Sequence, residues 1–286
     1  MGARIQTFFH EPTFTVSYLV SDPSSGTGAV IDPVLDFDHK SGRTGTKHAD
    51  GILATAAEEG VRIMWTLETH AHADHLSAAQ YLKARTGAKV VIGADIAKVQ
   101  TFFKDVFDAS EMPTDGRQFD RLVRDGDRLP LGGLEFEVMH TPGHTPACVT
   151  YVIGDAAFVG DTLFMPDYGT ARADFPGGDA RTLYRSIRRI LLLPPETRLF
   201  MCHDYRAPGR DRFAWESTVA EERANNVHIR GGVSEDDFVH MREARDKTLE
   251  MPVLILPSIQ VNMRVGNMPP AEPNGTVYLK LPVNRL

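Results

Sequence analysis

The stretch Thr69-His70-Ala71-His72-Ala73-Asp74-His75 decides the fold, because it places three imidazoles and one carboxylate within six positions. Residues 63–67 before it are apolar and predict a buried strand, and residues 76–85 after it have the apolar spacing of a helix. The cluster is therefore expected on a tight loop at the carboxyl end of a strand, where open α/β sheets usually carry their functional groups. Solvated loop histidines are the alternative, but borderline metals prefer this mixture of imidazole and carboxylate ligands.

Length and composition exclude several classes of protein. With 286 residues, we expect a catalytic domain over residues 1–250 and a C-terminal arm over residues 251–286, packed on that domain or on a partner subunit of a homodimer or higher homo-oligomer. A net charge of -7 argues against nucleic acid as a partner. The sequence has neither a signal-peptide core nor an apolar run of the roughly 20 residues that cross a bilayer, so no membrane partner is expected. Two cysteines, Cys148 and Cys202, indicate a reducing compartment, and we expect a cytoplasmic protein.

Strands and helices alternate along much of the chain, as in βαβ units. Residues 36–47 lack periodicity and predict a loop over the site, whereas residues 215–224 predict a helix. Apolar and polar residues alternate over residues 276–281, which predicts one strand in the arm. The remaining predicted strands are residues 5–9, 15–20, 28–32, 89–92, 134–138, 149–153, 156–159 and 198–201, and the remaining predicted helices are residues 49–59, 96–107, 180–191 and 234–249.

Three further turns carry metal-binding side chains at strand ends. His144 lies in a segment whose Pro and Gly residues force a tight turn. Asp161 follows the strand predicted at residues 156–159, and His203 follows the strand predicted at residues 198–201. Together with the first cluster, four loops are expected to converge at one sheet edge.

This order of motifs resembles the metallo-β-lactamase superfamily over about residues 15–205. The resemblance implies an α/β fold, an αββα sandwich of two mixed sheets flanked by helices, here with a C-terminal extension. Within the superfamily the chain is most similar to persulfide dioxygenases, also called sulfur dioxygenases, and its tail resembles a bacterial branch often called β-lactamase-like hydrolase. The segments that carry this similarity are Gly160-Asp161-Thr162-Leu163, residues 169–175, residues 182–187, Cys202-His203-Asp204-Tyr205 and Val261-Asn262-Met263-Arg264.

The resemblance implies one Fe(II) ion per chain, held by His70, His144 and Asp161. Two imidazoles and one carboxylate form a facial triad, which leaves coordination positions open. The resemblance also implies that glutathione persulfide and O2 are the substrates, and that sulfite and glutathione are the products. The catalytic groups that would orient ligands and water around the metal are His72, Asp74, His75 and His203.

Arg172 and Tyr205 are the candidates for binding the glutathione part of the substrate, because a guanidinium pairs bidentately with carboxylates. A structural ion pair between Arg172 and Asp174 is the alternative. Cys202 is a candidate thiol for accepting sulfur, although a small buried residue after a strand is the simpler interpretation.

Two other functions use the same residues. In a dinuclear zinc centre like that of glyoxalase II, which hydrolyses a thioester, Asp161 bridges two ions and the other ligands form two sets: His70, His72 and His144 for one ion, and Asp74, His75 and His203 for the other. The second alternative is a sensor or scaffold that binds a sulfur metabolite or a partner without turnover. A purely structural metal site would normally close its coordination sphere, which argues against this alternative. The sequence leaves the metal and its count open.

Overall fold

Two large β-sheets and the helices around them form the framework of residues 2–285, the part of the chain that this computed structural model describes. The strands are β1 (Arg4–His10), β2 (Thr15–Asp22), β3 (Thr27–Ile31), β4 (Val34–Asp38), β5 (Arg43–Gly45), β6 (Arg62–Leu67), β7 (Leu76–Ser77), β8 (Lys89–Gly93), β9 (Arg121–Val123), β10 (Arg128–Leu131), β11 (Leu134–His140), β12 (Val149–Ile153), β13 (Ala156–Gly160), β14 (Arg198–Met201) and β15 (Glu216–Thr218). The helices are α1 (Lys47–Glu58), α2 (Ala79–Thr86), α3 (Ile96–Val106), α4 (Ala180–Ile190), α5 (Val219–Asn225), α6 (Glu235–Asp246) and α7 (Ile255–Asn262).

Both large sheets are mixed, as predicted. The first has the order β1-β2-β3-β6-β8-β9, antiparallel up to β3 and parallel from there on. The second has the order β10-β11-β12-β13-β14-β15, with a single parallel pair between β13 and β14. A small third sheet has the order β5-β4-β7.

Side chains from both large sheets fill one core between them. Tyr18 of β2, Trp65 of β6 and Phe136 of β11 belong to the same buried cluster. The polar tips of the first two are satisfied across the core, because the Tyr18 hydroxyl donates to Met201 O at 2.6 Å and Trp65 Nε1 donates to Pro130 O at 2.8 Å. The two sheets therefore form a sandwich.

Helices cover the outer face of each sheet. Ile52 of α1 and Leu82 of α2 pack on the first sheet, whereas Leu183 and Ile187 of α4 pack on the second. This layering confirms the predicted αββα architecture. No helix within residues 2–285 has the length and apolar character needed to cross a membrane.

Two predictions near the sheets were wrong. Residues 36–47 contain the hairpin of β4 and β5, because Asp38 accepts hydrogen bonds from Lys40 N and the Ser41 hydroxyl and so forms a tight turn. The helix predicted from residue 76 starts at Ala79, since the two preceding residues pair with β4 as strand β7.

Two predictions in the last third of the chain were also wrong. Residues 215–224 begin with β15, which pairs with β14, and α5 starts only after Thr218 caps it by accepting from Glu221 N at 3.1 Å. No strand is assigned at residues 276–281, and helix α7 is the regular element after residue 250 within the described chain. The division of the chain at residue 250 stays a prediction.

Candidate metal centre

All seven predicted metal-site residues lie together between the ends of the two large sheets. The loops after β6, β11, β13 and β14 carry them, so the predicted convergence of four loops is what the structure has. Each residue offers one potential ligand atom. These seven atoms form two groups, and within each group the atoms lie within 4.8 Å of one another. The first group is His70, His144 and Asp161, and the second group is His72, Asp74, His75 and His203.

The first group points two imidazoles at one carboxylate oxygen. Nε2 of His70 lies 3.8 Å from Asp161 Oδ2, and Nε2 of His144 lies 3.7 Å from the same atom. The opposite nitrogen of His144 donates to Arg172 O at 2.8 Å, so its Nε2 keeps a free lone pair. His70 Nδ1 lies 3.0 Å from the Thr69 hydroxyl, whose own hydrogen goes to Asp32, so the same tautomer follows for His70.

Glycines allow the loops of the first group to approach their neighbours. Gly143 has φ +134°, and a Cβ there would lie 2.3 Å from the backbone of Leu183 in α4. Gly160 has φ +54°, and a Cβ there would lie 2.7 Å from the Thr69 hydroxyl. Any other residue at these positions would push His144 and Asp161 away from the sheet edge.

The second group is held by carboxylate–imidazole contacts. His203 Nε2 lies 2.9 Å from Asp74 Oδ2 and 3.5 Å from Asp161 Oδ1, and its Nδ1 donates to Phe14 O at 3.2 Å. His75 Nδ1 lies 3.5 Å from Asp74 Oδ1. Asp161 therefore reaches both groups, one through each of its oxygens.

Asp32, at the end of β3, anchors the ligand loop and was missed from the sequence. Its carboxylate accepts from Thr69 N at 2.7 Å and from the Thr69 hydroxyl at 2.8 Å, and it lies 3.0 Å from His72 Nε2. Burial alone would lower the pKa of His72, but the carboxylates of Asp32 and Glu68 raise it well above its usual value. A carboxylate at the end of a predicted strand was the available signal.

Unpartnered atoms in the two groups indicate a metal ion. Burial lowers the pKa of His75 to about 3 and the pKa of His70 well below its usual value, so both stay neutral as ligands must. A buried polar atom without a partner costs about 1–3 kcal/mol, and imidazole with carboxylate suits iron or zinc. Four buried atoms here lack a hydrogen-bond partner among residues 2–285: His70 Nε2, His72 Nδ1, His75 Nε2 and Asp161 Oδ1. His203 Nε2 and Asp74 Oδ2 contact each other at 2.9 Å. The residues fit a metal.

A cavity of about 950 Å³ opens over both groups. Asp74, His144 and Asp161 lie in its wall, together with the β4–β5 hairpin and residues 249–254. The segment at 36–47 thus lies over the site as expected, although as a hairpin. This volume is within the usual range for a small-molecule site.

Comparison with known proteins gives the family. A family model described as the metallo-β-lactamase superfamily matches residues 10–203. The chain belongs to the metallo-β-lactamase superfamily. All seven candidate ligands of this superfamily member lie within the matched region.

Relatives of this superfamily member carry different names. The chain is 58% identical to a probable metallo-hydrolase of Burkholderia pseudomallei, over 99% of both chains. It is 46% identical to glyoxylase B2 of Dictyostelium discoideum, over 99% of this chain and 98% of that one. It is 31% identical to the human mitochondrial persulfide dioxygenase ETHE1, over 93% of this chain and 90% of that one. Relatives called β-lactamase hydrolase-like protein are longer, and the chain spans 65% of their length.

A solved structure extends this likeness to the fold. The crystal structure of ETHE1 from Myxococcus xanthus is 31% identical and matches 92% of this chain and 100% of that one, with a TM-score of 0.74. The resemblance to the persulfide dioxygenase branch of the metallo-β-lactamase superfamily is confirmed.

Arg172 and Tyr205, the predicted substrate-binding residues, both line the cavity. The Arg172 guanidinium donates to both oxygens of Asp174, at 2.5 and 2.7 Å, and to Glu250 O at 2.7 Å. These bonds form the structural ion pair that was the alternative interpretation. The Tyr205 ring lies nearly parallel to that of His203, with centroids 5.5 Å apart and planes at 9°.

A buried ion pair supports the loop that orients His144 and was not predicted, although its i, i+4 spacing on the helix predicted at residues 234–249 was an available signal. Arg242 of α6 lies 2.6 Å from Asp246 and donates to Thr170 O at 3.1 Å. The Asp246 carboxylate accepts from Ala173 N at 2.9 Å. The loop between these contacts carries the carbonyl that holds His144 Nδ1.

Both cysteines are buried beside the site. Burial raises the pKa of the Cys148 thiol to about 12 and the pKa of the Cys202 thiol well above its usual value. A buried thiol that stays protonated is a poor nucleophile. The geometry therefore favours the simpler interpretation of Cys202 as a packing residue.

Proposed function

We propose that this protein is an iron-dependent persulfide dioxygenase, which oxidises glutathione persulfide with O2 to sulfite and glutathione. The observation that carries the proposal is the first group, whose two Nε2 atoms lie 3.8 and 3.7 Å from one oxygen of Asp161. Two imidazoles and one carboxylate form a three-ligand face of the kind used by non-haem iron oxygenases. The likeness to persulfide dioxygenases over most of the chain supports this choice.

His70, His144 and Asp161 would hold the ion. When bound, Fe(II) supplies the redox chemistry that joins dioxygen to sulfur. In the overall reaction the sulfur–sulfur bond breaks, the terminal sulfur takes two oxygen atoms from O2 and one from water, and the inner sulfur leaves as the thiol of glutathione.

The second group would orient the water that enters the products. His203 Nε2 and His75 Nδ1 lie against opposite oxygens of Asp74, so both rings are fixed, and His75 Nε2 has no hydrogen-bond partner among the described residues. That atom can exchange a hydrogen bond with water beside the metal. His72, fixed through Nε2 by Asp32, would hold the same face of the site.

Tyr205 and Arg172 would hold the glutathione part in the cavity. Tyr205 is the stronger candidate for direct contact, because three of the five N–H donors of Arg172 are already used by Asp174 and Glu250 O. Arg172 would act on the substrate through the charge and shape of this ion pair. A volume of about 950 Å³ accommodates a ligand of tripeptide size.

A glyoxalase II-like dinuclear zinc hydrolase is the second candidate. The favouring observation is that Asp161 approaches both groups, with Oδ2 at 3.7 Å from His144 and Oδ1 at 3.5 Å from His203, as a bridging ligand would. The relatives named metallo-hydrolase and glyoxylase B2 point the same way. A sensor that binds a sulfur metabolite without turnover is the third candidate.

Anaerobic reconstitution separates these candidates. Protein loaded with Fe(II) should consume one O2 for each sulfite formed from glutathione persulfide, whereas protein loaded with zinc should not. Hydrolysis of S-lactoylglutathione by the zinc form, without sulfite from the iron form, would establish the hydrolase instead. Tight binding of glutathione persulfide without turnover by either form would identify the sensor. Elemental analysis of freshly purified protein gives the native metal.

We also propose a cytoplasmic homodimer or higher homo-oligomer with no nucleic-acid or membrane partner. The exposed apolar side chains Val277, Leu281 and Val283 in the C-terminal arm support association through that arm. Light scattering coupled to size-exclusion chromatography measures the subunit count, and a monomer at micromolar concentration would contradict this assembly.

A further inference from the structure

Asn262, the last residue of α7, contacts the ligand loop through every polar atom of its side chain. Its Nδ2 donates to His72 O at 2.8 Å and to His75 O at 2.7 Å, and its Oδ1 accepts from Ser77 N at 2.8 Å. The side chain is buried. One amide therefore joins three backbone groups within residues 72–77, which carry three of the seven candidate ligands.

Only an amide satisfies these three groups together. Two carbonyl oxygens need two donors and one backbone N–H needs an acceptor, and the asparagine side chain offers that set at fixed spacing. A carboxylate of the same shape would place an oxygen against two carbonyl oxygens. An apolar side chain would leave all three backbone groups buried and unpaired.

Packing of α7 makes this contact rigid. Ile259 and Met263 lie in the buried cluster that also contains Phe103 of α3, so the helix is fixed against the outer face of the first sheet. Residue 262 lies beyond residues 10–203, the region that the superfamily model matches. The ligand loop is thus supported from a part of the chain outside that region.

We propose that Asn262 is a positioning residue of the metal centre, which holds residues 72–77 so that His72 and His75 keep the orientation needed around the metal. The proposal rests on the metal site of the proposed function and is independent of the reaction performed there. Groups that orient metal ligands typically contribute 10–100-fold to metal affinity. His72 and His75 follow the ligand residue His70 on the same loop and orient groups around the metal, so a clamp on their backbone acts in the same manner.

Helix α7 provides a matched control. Gln260 is also a buried amide with three backbone hydrogen bonds, but they go to Leu256 O, Lys280 O and Lys280 N, away from the ligand loop. Asn262→Asp and Gln260→Glu therefore make the same chemical change on the same helix. Affinity for Fe(II) and for Zn(II) is measured in all three proteins by chelator competition, and Tm is measured with and without metal.

The expected result is a loss of about tenfold or more in metal affinity for Asn262→Asp, with a smaller rise in Tm on metal addition. Gln260→Glu should keep its metal affinity within about twofold of the parent, whatever its effect on the Tm of the metal-free protein. If both variants lose Tm equally and both keep the parent affinity, Asn262 is merely structural and the proposal is wrong.

A second variant guards against misfolding. Asn262→Ser introduces no buried charge and should still weaken metal binding relative to Gln260→Glu; parent-like affinity in that variant would overturn the proposal. These readouts do not depend on catalysis. If the parent protein does not oxidise glutathione persulfide, the dioxygenase proposal is wrong. The role of Asn262 can still be tested by the same measurement of metal affinity.

Discussion

The two groups of the metal centre share burial and unpartnered atoms but differ in what fixes them. In the first group, His70 and His144 are each oriented through Nδ1 by a neutral oxygen, from a hydroxyl and a carbonyl, and both Nε2 atoms face Asp161. In the second group, Asp74 lies against His75 and His203, so charge within the group is already partly paired. The first group is therefore arranged to bind a cation, whereas the charges within the second group largely balance one another without a cation.

Asp161→Ala would test the first group most severely and should have the largest effect. The substitution removes the only carboxylate of the first group, so the metal content of reconstituted protein should fall from one ion to less than about a tenth, and sulfite formation should fall by a factor of about a thousand or more. Circular dichroism should show a folded protein. Full metal stoichiometry in this variant would contradict the division into two groups.

Asp74→Asn tests the second group in the same way. The amide is nearly isosteric but cannot balance charge on His203, so turnover should fall about 10–100-fold while metal content stays near one ion per chain. Elemental analysis and steady-state kinetics on the same sample check this. Loss of one metal out of two would instead favour the dinuclear hydrolase.

Tyr205→Phe concerns the cavity wall next to the second group and should have a smaller effect. Removing one hydrogen bond to the substrate should raise the KM for glutathione persulfide about 3–10-fold with kcat within twofold, because metal ligands are untouched. Tyr184→Phe is the control, since the Tyr184 hydroxyl donates to Val233 O at 2.8 Å instead of facing the cavity. Equal KM values for glutathione persulfide in both variants would show that the Tyr205 hydroxyl does not bind the substrate.

Glu222→Gln should have the smallest effect on the site and tests whether burial alone makes a ligand. Burial raises the pKa of Glu222 to about 8, and its Oε1 has no hydrogen-bond partner among residues 2–285, yet it lies outside both groups. Because the folded-state pKa exceeds the unfolded value, its contribution to stability is complete below about pH 4.5 and is lost as pH rises through about 8.

The Glu222→Gln variant should therefore lose less stability than the parent between pH 5 and pH 8. The difference in the Tm change across this range should be roughly 5 °C, measured calorimetrically. Its metal content should be unchanged. A drop in metal content would mean that unpartnered buried oxygens outside the two groups also matter for binding.

The sequence predicted which side chains converge at the candidate metal centre, because three of the four loops place a His or Asp within three residues of the end of a readable strand. It also predicted most helices and strands, where apolar periodicity is strong. It failed at β15, which has three residues, and over residues 276–281, where six residues alternate, because patterns this short do not distinguish a strand from its surroundings and tertiary pairing decides. The contacts of Asp32 and Asn262 with the ligand loop were not predicted, since their partners lie 37 or more residues away along the chain, although Asn262 belongs to a segment that carries the family resemblance.

The contact of Asn262 with His72 spans 190 positions of the chain. A nascent polypeptide emerging from the ribosome has all seven candidate ligands available well before α7 is synthesised. The loop therefore gains this support only after α7 has been synthesised.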